Sequence, residues 1–252
     1  MNWKSQVRSL FYRSSCWRTL IGLVSTASGR TRRLRMEHLQ SYDDHGAIGP
    51  LQQDEAVALF GLVRALRPRT VVEFGFFHGH SAFNFLMALE ADALLASYDV
   101  DDGSRDRAAR EFPQRPGFRF FHKSQEDFHP DDVDGRPLDL VFFDAAHFLD
   151  LNQRTFERVR PHLAPGAWIA IHDTGVWSPE HLEPVHEEFI ATMPIERTRE
   201  GRIVHQPGER EFVRWILEHF PEFQALHLHS CRTLRHGLTF LQIGPGFPDE
   251  AG

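Results

Sequence analysis

From residue 51 onward, the chain alternates helix-like segments with short, almost entirely apolar runs. The strand-length runs are TVVEF, LLASYD, FRFFH, LDLVFFD and AWIAIH. Strands of a parallel sheet that helices cover on both faces are continuously apolar, whereas strands with one wet face alternate apolar and polar residues. The pattern therefore predicts an α/β fold with a Rossmann-like, doubly wound, mostly parallel sheet.

The segments at the two ends of this alternation predict the first helix and the edge of the sheet. The stretch LQQDEAVALFGLVRALRP predicts a helix. Its predicted apolar face comprises Val57, Phe60, Val63 and Leu66. Residues 207–220 predict another helix, and FQALHLHS and GLTFLQI predict a C-terminal antiparallel strand pair. Because no internal repeat or low-complexity linker interrupts the pattern, we expect residues 46–252 to form one domain.

Residues 1–45 differ from this domain in charge. Residues 1–36 hold eight basic residues and no acid, so the net charge of -7 divides into +8 there and -15 in the remainder. Apolar residues in the segment fall largely at helical spacing, which predicts a basic amphipathic N-terminal helix or helix pair. Three roles stay open for it: a lid or subunit contact, adsorption to an anionic membrane, and an organellar transit peptide.

Cysteine content, hydropathy and charge indicate the cellular compartment and the class of partner. The chain has two cysteines, Cys16 and Cys231, and no apolar run near the ~20 residues that a membrane span needs. We therefore expect a cytoplasmic protein with no disulfide framework and no transmembrane segment. The acidic domain disfavours nucleic acid as a partner, because binding phosphates requires a basic surface.

Polar residues follow each apolar run at the point where the predicted strand ends. In open α/β sheets, ligands bind outside the carboxyl ends of the strands. In strand order these residues are Glu73, Gly75, Gly79 and Ser81; Asp99; Ser124 and Gln125; Asp144 and His147; and His172 and Asp173. Such a dense polar set predicts a ligand site at this edge of the sheet.

The turn after the first predicted strand, EFGFFHGHS, indicates the kind of ligand. Glycines in a strand-to-helix turn permit positive φ and close approach of a ligand to the backbone. The spacing E-x-G-x-x-x-G-x-S departs from the G-x-G-x-x-G of dinucleotide sites, and Phe77 stands where such a loop needs a small residue. Glu73 would repel a pyrophosphate but attract an amino group, while Asp99 suits ribose hydroxyls. The turn therefore favours an adenosine-containing ligand without a polyphosphate, with an NAD-type oxidoreductase as the alternative.

Four motifs in order resemble those of the class I S-adenosylmethionine-dependent methyltransferases. They are VVEFGFFHGHSA, FHKSQEDF, FFDAAH and LAPGAWIAIHDT, and the resemblance covers roughly residues 46–173. Within that family, the chain is most similar to the small-molecule O-methyltransferases, which include the catechol, macrolide sugar and cephalosporin-biosynthesis groups. The resemblance implies methyl transfer from S-adenosylmethionine to a hydroxyl of a small metabolite, in bacterial secondary metabolism, by a homodimer.

The resemblance also implies roles for individual residues in binding the cofactor. It implies that Glu73, Gly75 and Ser81 surround the methionine part, that Asp99 binds the ribose, and that Ser124 and Gln125 lie at the adenine edge. Phe77 and Gly79 in the first turn, and Asp144, complete the expected cofactor-binding set. Helix capping is the alternative role for Ser124 and Gln125, and the two roles are compatible.

A second group of residues predicts a divalent-cation site. The resemblance implies that Asp144, His172 and Asp173 stand where metal-dependent relatives hold a divalent cation such as Mg²⁺ or Mn²⁺. His172 replaces a carboxylate of many relatives, and an imidazole shifts preference toward Mn²⁺, Fe²⁺, Co²⁺ or Zn²⁺. Adjacent strand residues point to opposite faces, so His172 and Asp173 can bind one ion only if the strand has already ended. A metal-free hydrogen-bonded His172–Asp173 pair is the alternative.

His147 is the predicted general base. It lies three residues after Asp144, where the catechol-type relatives carry a catalytic lysine, and an imidazole can accept a proton near neutral pH. By position, Phe148 and Trp177 are candidate aromatic contacts of the acceptor. A non-catalytic protein that keeps the cofactor fold but serves as a partner subunit stays open as a third hypothesis.

Overall fold

The computed structural model describes residues 38–39, 51–112, 115–145, 147–175, 196–197, 203–204, 207–229 and 237–244. The predicted N-terminal extension lies outside these ranges except for His38 and Leu39. Its boundary at residue 45 and its role therefore stay predictions. Trp177, the candidate acceptor contact, also lies outside the described residues.

The described residues form nine strands, five α-helices and three short 3₁₀ helices. The strands are β1 (Thr70–Phe74), β2 (Leu94–Asp99), β3 (Phe118–His122), β4 (Leu138–Phe143), β5 (Leu163–Ile171), β6 (Glu196–Arg197), β7 (Ile203–Val204), β8 (Phe223–His229) and β9 (Gly237–Ile243). The α-helices are α1 (Gln53–Leu66), α2 (His80–Ala88), α3 (Asp102–Glu111), α4 (Leu149–Val159) and α5 (Pro207–His219). The 3₁₀ helices are Gln125–Asp127, Pro130–Val133 and Arg160–His162.

Seven strands form the main sheet in the order β3-β2-β1-β4-β5-β9-β8. The five strands from β3 to β5 are parallel, and β9 and β8 add an antiparallel pair at one edge. The predicted doubly wound sheet with a C-terminal antiparallel pair is thus confirmed. The small β6–β7 ladder, which the sequence patterns did not predict, forms a separate sheet. Strand order reverses between β1 and β4, which is where open α/β sheets bind ligands.

Consecutive strand residues enter two separate cores, one on each face of the sheet. On one face Val71, Leu140 and Phe142 pack with residues of α1, α2 and α3. On the other face Val72 and Val141 pack with residues of α4 and α5. The strands are continuously apolar because both of their faces are covered, as the sequence pattern predicted.

Helix α1 buries a face that is rotated from the predicted one. Phe60 and Val63 are buried as expected, but Val57 and Leu66 are exposed. The buried positions are Glu55, Ala56, Leu59, Phe60 and Val63. The buried apolar repeat runs from Ala56 through Leu59 and Phe60 to Val63 at helical spacing, so the predicted apolar face wrongly included Val57 and Leu66. The rotation turns the acidic residue Glu55 into the protein.

Gly75, which follows β1, lies close against the backbone of Asp144, which follows β4. Its φ is +97°, and a Cβ atom at this position would lie 2.0 Å from the backbone oxygen of Asp144. The contact is with backbone, which cannot move aside as a flexible side chain can. The sequence suggested that a ligand requires this glycine, but the neighbouring strand end already requires it.

None of the helices in the described ranges combines the length and the apolar character that a membrane crossing requires.

Replacing Gly75 should severely destabilise the fold. We expect Gly75→Ala to lower the free energy of unfolding by more than about 3 kcal/mol, or to prevent folding, because it adds a backbone clash to a strained φ. Gly61→Ala is the matched control, since a Cβ at Gly61 in α1 meets nothing within 4 Å. It should raise stability by about 0.5–1 kcal/mol. Urea denaturation checks both values, and equal stability of the two variants would contradict the proposed contact.

Candidate functional site

The carboxyl ends of β1, β4 and β5 are held together beyond the last residue of each strand. The backbone N–H of Asp144 donates to Phe74 O at 2.8 Å, and that of His172 donates to Phe143 O at 3.0 Å. The sheet ladder therefore continues to the residues that the sequence singled out. Their side chains start from fixed positions at the point where strand order reverses.

Asp173 turns back toward its neighbours because its backbone leaves the strand conformation. Strand β5 ends at Ile171, and Asp173 has a φ of +56°. A left-handed conformation is uncommon outside glycine and carries a strain of about 1–3 kcal/mol. With the strand ended, Asp173 Oδ1 lies 3.5 Å from Nδ1 of His172. Because β5 has ended before these residues, the side chains of His172 and Asp173 can face one bound cation.

His172 is fully buried between two carboxylates. Its Nδ1 lies 2.8 Å from Oδ1 of Asp144, and its Nε2 lies 2.9 Å from Oε2 of Glu55. Burial alone would lower the pKa of His172, but the charges of Asp144, Asp173 and Glu55 raise that pKa well above its ordinary value. The imidazole therefore carries both ring protons when only these side chains surround it.

A second histidine–carboxylate pair lies on the other side of Asp173. Nδ1 of His147 lies 2.6 Å from Oε1 of Glu209, and its Nε2 lies 4.0 Å from Oδ2 of Asp173. Glu209 is in the first turn of α5, whose start packs closely on the backbone of His147. A Cβ at Gly208 would lie 2.3 Å from the carbonyl oxygen of His147. The fold therefore directs Nε2 of His147 toward the aspartates.

The surrounding carboxylates also set the proton affinity of His147. Burial alone would lower the pKa of His147, but the charge and hydrogen bond of Glu209, together with Asp173 and Asp144, raise that pKa to about 9. In the absence of any cation, His147 is therefore protonated at neutral pH. A positive charge beside Asp173 would oppose this shift and favour the neutral imidazole.

Asp144, His172 and Asp173 suit a divalent cation. Each offers a ligand atom within 4.8 Å of the others. That spread is close to the ~4 Å between ligands on opposite sides of a bound transition-metal ion. Two carboxylate oxygens and one imidazole nitrogen form a donor set suited to Mn²⁺, Fe²⁺, Co²⁺ or Zn²⁺. Nδ1 of His172 would have to release its proton to bind such an ion.

The predicted cofactor residues divide into an accessible group and a buried group. Gly75, Phe77, Asp99, Ser124 and Asp144 are at least partly accessible, whereas Glu73, Gly79, Ser81 and Gln125 are buried. Only the first group offers surface to a ligand in this conformation. The second group is enclosed by the surrounding protein.

Asp99 accepts hydrogen bonds from the turn that follows β1. Its Oδ2 accepts hydrogen bonds from the backbone N–H groups of Phe76 and Phe77 and from Ser104 Oγ, while Oδ1 accepts one from the N–H of Asp101. These bonds hold Phe77, which has a φ of +43° and is 53% exposed. Oδ1 retains acceptor capacity for a ribose hydroxyl, because a carboxylate oxygen accepts two hydrogen bonds.

Glu73 is a fully buried carboxyl group in the middle of the sheet. Ser97 donates a hydrogen bond to it. Burial raises the pKa of Glu73 to about 8, although hydrogen bonds from Ser81 and Ser97 act in the opposite direction. At neutral pH the group is therefore mostly protonated. A cationic amino group brought close to it would favour the ionised form.

Ser124 and Gln125 take different positions after β3. Ser124 precedes the 3₁₀ helix Gln125–Asp127, and its side chain makes no capping hydrogen bond. The side chain of Gln125 turns inward and donates to Asn152 Oδ1 at 2.8 Å and Thr155 Oγ1 at 2.9 Å in α4. Gln125 thus anchors its turn to α4, while Ser124 remains partly accessible.

Glu55 and Glu209 are the two site residues that the sequence patterns missed. Both lie in the first turn of a helix, where an acidic residue is ordinary because it interacts favourably with the helix dipole. Glu55 lies on the buried face of α1. The sequence alone does not reveal this face, because Val57 reads as an apolar core residue but is exposed. Nothing in the sequence flags Glu209 beyond the helix-start pattern PGE.

Comparisons with known proteins indicate a methyltransferase domain. Residues 72–174 match the sequence model of a family described as a methyltransferase domain. An uncharacterized protein of Sinorhizobium fredii is 30% identical over 136 residues, which cover 46% of this chain. The match spans only 15% of that longer protein. The family match confirms the resemblance to the class I methyltransferases over residues 72–174.

Solved structures share the fold at low sequence identity. The O-methyltransferase TomG from Streptomyces achromogenes, involved in tomaymycin synthesis and solved with S-adenosylmethionine, superposes with a TM-score of 0.58 at 18% identity, covering 85% of this chain and 91% of that chain. An O-methyltransferase from Bacillus cereus, solved with S-adenosylhomocysteine, gives 0.54 at 17% identity, with 89% and 97% covered. An rRNA methylase from Streptococcus thermophilus gives 0.51 at 11% identity, with 79% and 99% covered.

The raised pKa of Glu73 predicts how stability depends on pH. Between 4.5 and about 8, the carboxyl group ionises in the unfolded chain but stays protonated in the fold, so the wild type loses stability as pH rises. Glu73→Gln cannot ionise. We expect it to match the wild type near pH 5 and to exceed it near pH 9 by on the order of a few kcal/mol.

Urea denaturation across this pH range measures that difference. Glu218→Gln, at an exposed position of α5, controls for the loss of one negative charge. A difference between Glu73→Gln and the wild type that does not change with pH would show that Glu73 ionises normally in the fold.

Proposed function

Because residues 72–174 match a methyltransferase domain within a class I methyltransferase fold, we propose that the protein transfers a methyl group from S-adenosylmethionine to a hydroxyl of a small metabolite, assisted by a divalent cation. One observation carries the proposal. A histidine oriented by a buried glutamate directs its other nitrogen toward Asp173, beside three side chains that suit a cation. That arrangement combines a proton acceptor with a means of acidifying a hydroxyl.

Each group has a defined part in the proposed reaction. Asp144, His172 and Asp173 would hold the cation, which would lower the pKa of the acceptor hydroxyl, and bound S-adenosylmethionine would supply an electrophilic methyl group. Nε2 of His147 would accept the proton of that hydroxyl, so that the acceptor oxygen could take the methyl group and leave S-adenosylhomocysteine. Glu209 holds Nδ1 and thereby fixes which nitrogen receives the proton.

The charge state of His147 favours the cation-assisted form of this reaction. With carboxylates alone around it, His147 has a pKa of about 9 and already holds its proton at neutral pH. A cation beside Asp173 would release that proton. The metal-independent alternative would keep a histidine–aspartate base, with His172 hydrogen-bonded to Asp144 instead of bound to a cation.

Two further points support the proposed acceptor class. The rRNA methylase shares the fold, so the fold itself selects no acceptor. The net charge of -15 in residues 37–252 opposes binding of a nucleic acid, because phosphates are repelled. The part of TomG in tomaymycin synthesis is consistent with an acceptor from bacterial secondary metabolism. We extend the proposal to a cytoplasmic homodimer.

Calorimetric titration of S-adenosylhomocysteine tests the cofactor class, and Mn²⁺ and Mg²⁺ titrations test the cation. We expect micromolar binding of S-adenosylhomocysteine, about -8 kcal/mol. We also expect Mn²⁺ to bind more tightly than Mg²⁺, because the donor set includes an imidazole. Asp144→Asn should weaken Mn²⁺ binding at least about tenfold.

The outcomes of these titrations separate the alternatives. Absence of S-adenosylhomocysteine binding would contradict methyl transfer, and tight NAD(H) binding in its place would favour an oxidoreductase. Cofactor binding with no cation binding would favour the metal-independent reaction or a non-catalytic partner protein.

Replacing the proposed base tests the chemistry. With tritiated methyl donor and a panel of phenolic and sugar hydroxyl acceptors, we expect His147→Ala to lower turnover at least about 100-fold. Affinity for S-adenosylhomocysteine should stay unchanged. His219→Ala, an exposed histidine on the same helix as Glu209, should keep full activity. Full turnover by His147→Ala would remove this residue from the mechanism.

A further inference from the structure

We infer that Glu55, in the first turn of α1, is a positioning residue that holds the His172 ring with Nδ1 facing Asp144 and Asp173. The inference rests on the proposed role of His172 as a metal ligand. It makes α1, which lies outside the matched residues 72–174, a part of the metal site.

The contact between Glu55 and His172 is short and completely enclosed. Oε2 of Glu55 lies 2.9 Å from Nε2 of His172, and the two side chains are 2% and 0% exposed. The residues are 117 positions apart in the sequence. The pair therefore joins the start of α1 to the end of β5 at the interior of the site.

The arrangement has the chemistry of an oriented metal ligand. A histidine that binds a metal through one nitrogen usually donates its other ring N–H to a carboxylate, which fixes the ring and makes the ligand more basic. Here Nε2–H donates to Glu55, while Nδ1 lies 2.8 Å from Asp144 and 3.5 Å from Asp173. Glu55 thus opposes a flip of the ring, which would turn Cδ2 instead of Nδ1 toward the aspartates.

Helix capping alone does not explain this glutamate. Oε2 of Glu55 also accepts the backbone N–H of Gln52 at 2.9 Å, which completes a capping box. A capping-box glutamate needs only its own helix, and it can serve with the side chain in solvent. Burying a carboxylate is costly unless a charged or polar partner compensates it. His172 is one such partner, and a single oxygen atom of Glu55 accepts from both the helix start and the histidine.

Cobalt titration of the full-length protein tests the inference, because Co²⁺ absorption reports both affinity and ligand geometry without requiring turnover. We expect Glu55→Gln, which keeps the size and loses the charge, to bind Co²⁺ about 10-fold more weakly than the wild type. Glu55→Ala should bind it about 100-fold more weakly, with an altered visible spectrum. Asp54→Asn is the matched control, since it removes one charge from the same helix turn, and its Co²⁺ affinity should equal that of the wild type.

S-adenosylhomocysteine binding by the same variants separates this inference from the proposed function. We expect it to be unchanged in Glu55→Gln, which also shows that the variant is folded. If Glu55→Ala does not fold, Glu55→Gln decides. Wild-type affinity and spectrum in Glu55→Gln, or a wild type that binds S-adenosylhomocysteine but no Co²⁺, would overturn the inference and leave methyl transfer intact. Loss of S-adenosylhomocysteine binding by the wild type would instead contradict the proposed function.

Discussion

The close approach of Gly75 to the backbone of Asp144 fixes the geometry on which the rest of the site depends. With no Cβ in the way, the end of β4 lies directly against the turn that follows β1. The same turn is held from its other side by Asp99, which accepts the N–H groups of Phe76 and Phe77. The proposed cofactor turn and the first proposed metal ligand therefore form one rigid backbone unit. A methyl donor bound to the turn would lie beside Asp144 without any further adjustment of the fold.

Several acidic side chains are buried together at this edge of the sheet. The carboxylates of Glu55, Asp144, Asp173 and Glu209 outnumber the two histidines that they surround. Buried ion pairs often contribute little to stability, because removing the charges from water costs about as much as their attraction returns. The strained φ of Asp173 adds a further cost. Such a cluster is poorly explained as a stabilising device, whereas its carboxylates would attract the proposed cation.

Most of the fold could be predicted from the sequence, because the strands are buried on both faces and therefore read as continuous apolar runs. The residues after those strands could also be predicted, since parallel strands end at one edge. The roles of single side chains were less accessible. Gln125 donates a hydrogen bond into α4, and Gly75 is required by a neighbouring strand end. Both facts depend on how distant segments pack, which local patterns do not encode.

The two histidine–carboxylate pairs involve helices on opposite faces of the sheet. Each helix contributes the carboxylate of one pair. His172 meets Glu55 of α1, which packs on one face of the sheet. His147 meets Glu209 of α5, which packs on the other. Asp144 and Asp173 lie between the pairs at the strand ends. The matched residues 72–174 thus supply the proposed reacting and metal-binding groups, while helices outside that range orient them. A related chain could therefore keep every motif of the domain and still lose the site if either helix changed its first turn.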